Sequence, residues 1–576
     1  MKKNIMVALM LLLVSLVVVQ DHDIKIKNST KNIKYQINNN LDFEPGTIMV
    51  VLDNECSGNN KVYSPNDFLY IGCESVEELT SNFEQNYDED FENDNLFINA
   101  STFKRILKLI LVDKSYDNTL EAINYLSSLD FVYSVEPSYY ISLESFEEPK
   151  TIESSGVSTI SSDEDDNSLY QWSLENINIP DYLYNFDNNF QYLTQETVKV
   201  GIIDSGIEYQ GEVNGEANSS SFNHIDLLGK VKKDPYYSFY NDADGPFVDV
   251  QNHGTPIAGI IGADAKNNIG IKGICNNVEM YSLKCYLQEE HSIQNGSVSI
   301  ERLVSSVSQA VNYAASKQIN IINCSFGTYY ESTTLEDIFT NFPSILFVCG
   351  SGNSNKNIDN NENKLFPASY ELDNILTVGA IDSNDCLWVD EANTSFGSNY
   401  GQVSVDVFAP GKDIVSTSAT YTVESTNQKV KNDYKEFTGT SFATPHVTAL
   451  AAILKSISIN YDEVDDISET NYCFRRTILE IKNAIISSAR QVPSLVDKCV
   501  SGGIIDVEKT IENYLNHNHY YEYYNMNKHK ILCSKCNYLE IEDHNWIIAN
   551  GNIRSLQPSA IVTSLICSKC GATKLT

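Results

Sequence analysis

The sequence predicts an α/β protein: a parallel sheet flanked by helices, with a small α+β unit before it and a small Cys-rich module after it. Three observations carry this. Between about residues 170 and 510, apolar β-branched stretches alternate with helical ones, the pattern of strands buried on both faces of a parallel sheet. Residues 45–142 hold strand and helix patterns of their own, and residues 525–576 carry two Cys-x-x-Cys pairs. At 576 residues the chain is too long for a single hydrophobic core.

The elements follow in order. Met1-Lys2-Lys3 and the apolar run Ile5–Val19 make residues 1–22 a signal peptide or N-terminal anchor, because the run is short for a membrane span. The rest is then expected to be secreted or anchored at the cell surface. Within 45–142, Thr47–Leu52 and Ile106–Val112 read as strands and Asn118–Leu129 as a helix. In that helix Ala122, Tyr125, Leu126 and Leu129 share a face. Val132–Pro137 reads as a short strand ending at the proline. Residues 143–169, with Asp163-Glu-Asp-Asp166, form an acidic linker with few groups able to build a core, open to proteolytic cutting. In the main domain, 170–510, strands are expected at Val198–Ile203, Ile319–Asn323, Ile345–Cys349 and Ile375–Val378, and a helix at Glu301–Ser316.

Composition narrows the function. A formal net charge of -37 argues against nucleic acid as a partner, since phosphate binding needs basic patches. Of 13 cysteines, nine are scattered without the spacing of a disulfide framework. The other four, Cys533, Cys536, Cys567 and Cys570, form two knuckles suited to a tetrahedral zinc ion, with two disulfides as the alternative.

Four segments supply chemistry. Val200-Gly-Ile-Ile-Asp204-Ser-Gly206 places a carboxylate at a strand end, where it can orient a histidine ring. His253-Gly-Thr-Pro-Ile-Ala-Gly259 places an imidazole at the start of a helix built from small residues. Gly439-Thr-Ser441-Phe-Ala-Thr-Pro-His-Val447 places a hydroxyl at a helix N-terminus, where its own N–H can serve a developing oxyanion. Phe347-Val-Cys-Gly350-Ser-Gly352-Asn353 ends a strand with an amide that can donate to the same oxyanion. Taken singly, these residues would suit a turn aspartate, a capping histidine, a serine N-cap and a turn asparagine. Together, in the order Asp, His, Ser, they point to acyl hydrolysis by an activated serine.

These segments resemble the subtilisin-like serine peptidases. Ile322-Asn-Cys-Ser325-Phe326-Gly327, His224-Ile-Asp226-Leu227, Phe366-Pro-Ala368, Phe408-Ala-Pro-Gly411 and Gly503-Ile-Ile-Asp506-Val507 fit the same family, so the likeness spans about 170–510. It implies a subtilisin-like fold and an endopeptidase with catalytic Asp204, His253, Ser441 and Asn353, needing no cofactor for catalysis. Protein or peptide substrates would add a strand against Ser325, Phe326 and Gly327, with Gly350 and Gly352 lining the first specificity pocket. Residues 45–142, with Val135-Glu-Pro137 near their end, are similar to the family's prodomain, which would act as an intramolecular inhibitor and then be cut away. Family members often bind calcium. Asp226 matches a frequent ligand position, Ala265–Ile271 resembles the accompanying loop, and Asp242, Asp244 and Asp249 are further candidates. Two rival readings stand beside this one. In the first, the C-terminal module docks a processing protease on a cell-surface partner. In the second, the fold is a silent binding protein, a reading the four filled catalytic positions speak against.

Overall fold

The structure, a computed structural model, describes residues 43–53, 61–80, 103–142, 197–208, 224–232, 251–285, 301–419, 433–459 and 478–515, with short segments between and beyond them. The expected signal or anchor and most of the acidic linker lie outside the described residues. The chain divides into two compact units, Met1–Tyr140 with Ser332–Asn341, and Ile141–Glu331 with Phe342–Thr576.

In the first unit, β1 (Phe43–Leu52), β2 (Cys73–Glu78), β3 (Ile106–Leu111) and β4 (Val132–Ser142) are antiparallel neighbours in the order β4-β1-β3-β2. Helix α1 (Tyr116–Ser127) covers them. It starts earlier than the apolar pattern alone indicates, because the Ser115 hydroxyl caps it by accepting the Asn118 N–H. Ile48, Val50, Leu107, Leu109, Ile123 and Leu126 form the core. β4 does not stop at Pro137. The proline sits opposite Ile48 beside a shift in register, where a missing N–H interrupts little, and the strand continues to Ser142. Next to it the buried Glu136 carboxylate accepts the Thr333 and Thr334 amides and the Ser332 hydroxyl, capping the helix Thr333–Asn341.

The second unit is built on an eight-stranded sheet. Its strands are β5 (Val198–Asp204), β6 (Val278–Lys284), β7 (Ile321–Cys324), β8 (Leu346–Gly350), β9 (Ile375–Ile381) and β10 (Val407–Pro410), with β13 (Arg490–Gln491) and β14 (Gly503–Ile504) at one edge. Strands β11 (Ile414–Ser418) and β12 (Asp433–Phe437) pair separately. The order β6-β5-β7-β8-β9-β10-β14-β13 is parallel apart from the last pair. Helices α2 (Gly254–Gly262), α3 (Val304–Ser316), α4 (Thr440–Ser456), α5 (Ile478–Ser488) and α6 (Val507–Leu515) complete it. The expected helix from Glu301 begins only at Val304. Its buried face, Val304, Val307, Val311 and Ala314, starts there, and Glu301–Leu303 are extended.

α4 is buried almost throughout, its buried Thr444, His446 and Thr448 side chains being hydrogen-bonded, and Phe442, Val447, Leu450 and Leu454 join Val348, Val378 and Ile261 in the main core. Pro445 lies inside it without breaking it. The proline removes the N–H that the Ser441 carbonyl would accept, and the Ser325 hydroxyl fills that place at 3.0 Å. α2 packs on β11 so closely that a Cβ on Gly259 would stand 2.4 Å from Thr417 Oγ1. Among the described residues no helix is long and apolar enough to cross a membrane. The tail holds two three-stranded antiparallel sheets, and Cys533 and Cys567 each end a strand. Cys536 and Cys570 lie outside the described residues.

Candidate active site

Parallel strands end their chains on one side of a sheet, so β5 and β8 deliver their C-terminal residues to the same rim as the starts of the helices. Asp204 is the last residue of β5, and His253 is the residue from which α2 starts. Both are fully buried, and the Asp204 Oδ1 to His253 Nδ1 distance is 2.8 Å. Asp204 Oδ1 also accepts the Ser205 N–H at 2.7 Å, so the carboxylate is fixed before the ring meets it. The approach of the two loops requires glycine at 254, where a Cβ would lie 2.1 Å from the Gly206 carbonyl oxygen and 3.1 Å from Asp204 Cβ. The His253 ring rests against Phe442, centroids 5.5 Å apart, which places the imidazole beside the residue that follows Ser441.

Ser441 is the second residue of α4, where backbone N–H groups have no partner within the helix. Asn353 lies in the turn after β8. Its Oδ1 accepts both the N–H and the hydroxyl of Thr440, each at 2.9 Å. Those two donors fix which end of the amide is carbonyl and turn the amino end away from Thr440. Gly350 closes β8, and the Gly352 N–H donates to Thr440 Oγ1 at 3.2 Å, so the glycine turn is tied to the start of α4. Ser325, Phe326 and Gly327 follow β7 and are joined to the same place through the Ser325–Ser441 bond.

Sequence reasoning missed several supports. Asn399 accepts the Ser354 and Lys356 amides and donates to the Ser351 carbonyl, holding the turn that carries Asn353. Asn323 bridges Ser325 Oγ and Thr448 Oγ1. Neither differs in sequence from any polar residue of a loop or strand end. Cys324 and Cys349, near the site by motif, pair across β7 and β8 and are fully buried.

The calcium expectation meets a different donor set. Asp226 is buried, and its Oδ1 accepts from Asn267 Nδ2 at 2.8 Å while Oδ2 accepts the Ile271 N–H at 2.9 Å and the Tyr434 hydroxyl at 2.8 Å. Burial and the adjacent Asp226 charge push the Tyr434 phenol well above its usual range, so it stays a donor. Hydrogens converge here where a calcium ion needs oxygen lone pairs, and the residues do not fit the ion. Among the described residues no cluster of His, Cys, Asp or Glu suits a metal. Asp249 is likewise engaged by amides, and Asp242 and Asp244 lie outside the described residues.

A buried carboxylate–imidazole pair, a serine at a helix N-terminus and an oriented amide on a parallel α/β sheet define the serine-hydrolase class. Residues 195–509, more than half the chain, match the family model for the subtilase family, peptidase S8. The chain belongs to the subtilase family and is a serine-type endopeptidase. It is 33% identical over 340 residues to a thermophilic serine proteinase of Bacillus sp. (strain AK1), an alignment covering 53% of this chain and 71% of that protein. It is 29% identical over 304 residues to subtilisin-like protease 2 of Plasmodium falciparum (isolate 3D7), covering 50% of this chain and 19% of the other. The fold is similar to fervidolysin from Fervidobacterium pennivorans, a keratinolytic enzyme related to subtilisin, with a TM-score of 0.55 and 17% identity over 83% of this chain and 62% of that one.

Proposed function

We propose that this subtilase is an exported, self-processing endopeptidase that works through Asp204, His253 and Ser441, with Asn353 in the oxyanion hole. The observation that carries the reading is the buried 2.8 Å contact between Asp204 Oδ1 and His253 Nδ1. With Nδ1–H committed to Asp204, the Nε2 lone pair is the basic site of the ring. His253 takes the Ser441 hydroxyl proton as the oxygen attacks a peptide carbonyl, and Asp204 stabilises the imidazolium so formed. The oxyanion receives the Asn353 amino group and the Ser441 N–H. His253 then gives the proton to the leaving amine, and water, activated the same way, releases the acyl group.

Peptide substrates pair with Ser325, Phe326 and Gly327, and Gly350 and Gly352 border the first specificity pocket. Residues 45–142, whose α+β pattern supports the assignment, act as the intramolecular inhibitor until a cut between about 138 and 170 frees the enzyme. The C-terminal module, residues 525–576, takes one zinc ion through Cys533, Cys536, Cys567 and Cys570, a reading supported by the two-knuckle spacing.

Native mass spectrometry of wild type beside Ser441→Ala, with and without a serine-directed phosphonate, tests these assignments together. The expected wild-type species has lost the chain up to the linker, carries one adduct and retains one zinc. The mutant keeps its full length and takes no adduct. Processing by the purified mutant would refute autocatalysis, and an unlabelled wild type would refute the triad.

A further inference from the structure

Asp249 lies four residues ahead of His253, and the triad chemistry does not use it. It is 4% exposed. Oδ1 accepts from Ser205 Oγ at 2.7 Å and from the His253 N–H at 3.3 Å, while Oδ2 accepts the Thr255 N–H at 2.7 Å. The amide between them, Gly254 N–H, donates to Ser205 Oγ at 3.0 Å. Three successive amides at the start of α2 are thus satisfied by Asp249 and Ser205, at a helix end where His253 provides no side-chain cap. Ser205 is itself tied by its N–H to Asp204 Oδ1, the oxygen that meets the His253 ring. The bonds close a ring: Asp204, the His253 imidazole, the His253 backbone, Asp249, Ser205 and back to Asp204.

The hydrogens in this ring are limited. Ser205 Oγ lies 2.7 Å from Asp249 Oδ1 and 3.1 Å from Asp204 Oδ1, but a hydroxyl has one hydrogen. The shorter contact takes it. Without Asp249 that hydrogen would turn to Asp204 Oδ1 and compete there with His253 Nδ1–H. The titratable groups that meet Asp249 are Asp204 and His253, with Glu208 in the same turn donating its N–H to Thr255 Oγ1. Burial raises the Asp249 carboxyl, bonds from Ser205 and Thr255 oppose that rise, and the Asp204 charge adds to it.

We propose that Asp249 is a positioning residue for the hydrolysis: it caps the helix that carries the base and holds the Ser205 hydrogen off Asp204, reserving that carboxylate oxygen for the His253 ring. This rests on the triad reading above.

Asp249→Asn, Ser205→Ala and the double variant, made in the full chain, test it. The assay is hydrolysis of a peptide p-nitroanilide across pH, with phosphonate labelling to count competent sites and calorimetry to record Tm. In Asp249→Asn, kcat per labelled site should fall about 10-fold to 100-fold with KM within about twofold. The acidic limb of kcat/KM should move to lower pH, because a carboxylate shared with a second donor stabilises the imidazolium less. Adding Ser205→Ala removes that donor and should return the limb toward its wild-type position, which a merely structural role would not do. Ser205→Ala alone should leave the limb in place, a check that holds even where Asp249→Asn fails to fold. An unmoved limb in Asp249→Asn, a shifted limb in Ser205→Ala, or no return in the double variant overturns the proposal while the triad stands. A wild type that takes no phosphonate overturns both.

Discussion

In the proposed mechanism Asn353 serves structure and chemistry at once. Its carbonyl end is held by Thr440, which turns the amino end away, toward the oxyanion in the proposed mechanism. Asn353→Ala should lower kcat by about 10² to 10³ with little change in KM, a magnitude already known for the corresponding donor of subtilisin itself. Steady-state kinetics with active-site counting reads this, and an equal loss in KM would place the residue in ground-state binding. At this scale Asp204, His253, Ser441 and Asn353 were legible as candidates, because each reaction role demands one residue type in a narrow local context. Asp249 was not. An acidic residue near a histidine suggests a cation ligand, and only the folded positions of the 253, 254 and 255 amides show what its oxygens hold. Asp226 misleads in the same way, since the Tyr434 hydroxyl that meets it comes from 208 residues further along the chain.

At the scale of elements, the strands β5, β7, β8 and β9 fall within a residue or a few of their expected positions, because continuous apolar runs have nowhere to go but a buried sheet. Local rules failed where a distant partner supplied the missing bond. Pro445 remains inside α4 because Ser325 satisfies the carbonyl the proline leaves. Pro137 remains inside β4 because a register shift absorbs it. The short helix α2 owes its position to contact rather than propensity. Gly254→Ala would drive a methyl into the Gly206 carbonyl, which is backbone and cannot rotate away. The expected result is a destabilisation of about 1–3 kcal/mol or more and a widened Asp204–His253 contact, with activity falling further than the folded fraction does. Urea unfolding beside kcat per folded molecule checks it, and a variant of unchanged stability and rate would refute the close packing.

At the scale of the whole molecule, one buried histidine ties stability to pH. His446 is fully buried within α4, its Nδ1 is 2.8 Å from the Phe442 carbonyl, and burial pushes the imidazole down from 6.5 to about 4. The unfolded chain therefore binds this proton more readily than the folded one. The corresponding stability is present above 6.5 and is lost as pH falls toward 4, amounting to about 3 kcal/mol across that window. His446→Asn, which retains a donor near the Nδ1 position, should unfold with a shallower pH slope than wild type in urea titrations between pH 7 and pH 4 (about that range). Parallel slopes would show that other groups carry the acid lability. The sequence by itself determined the reaction class, the four groups proposed to perform it and the alternation that builds the sheet, because local chemistry and apolar periodicity are written in consecutive residues. The tertiary structure alone decided which oxygens are already occupied, which prolines are tolerated and what holds the base against its carboxylate. Those are questions of partners, and the partners are far apart in the chain until it folds.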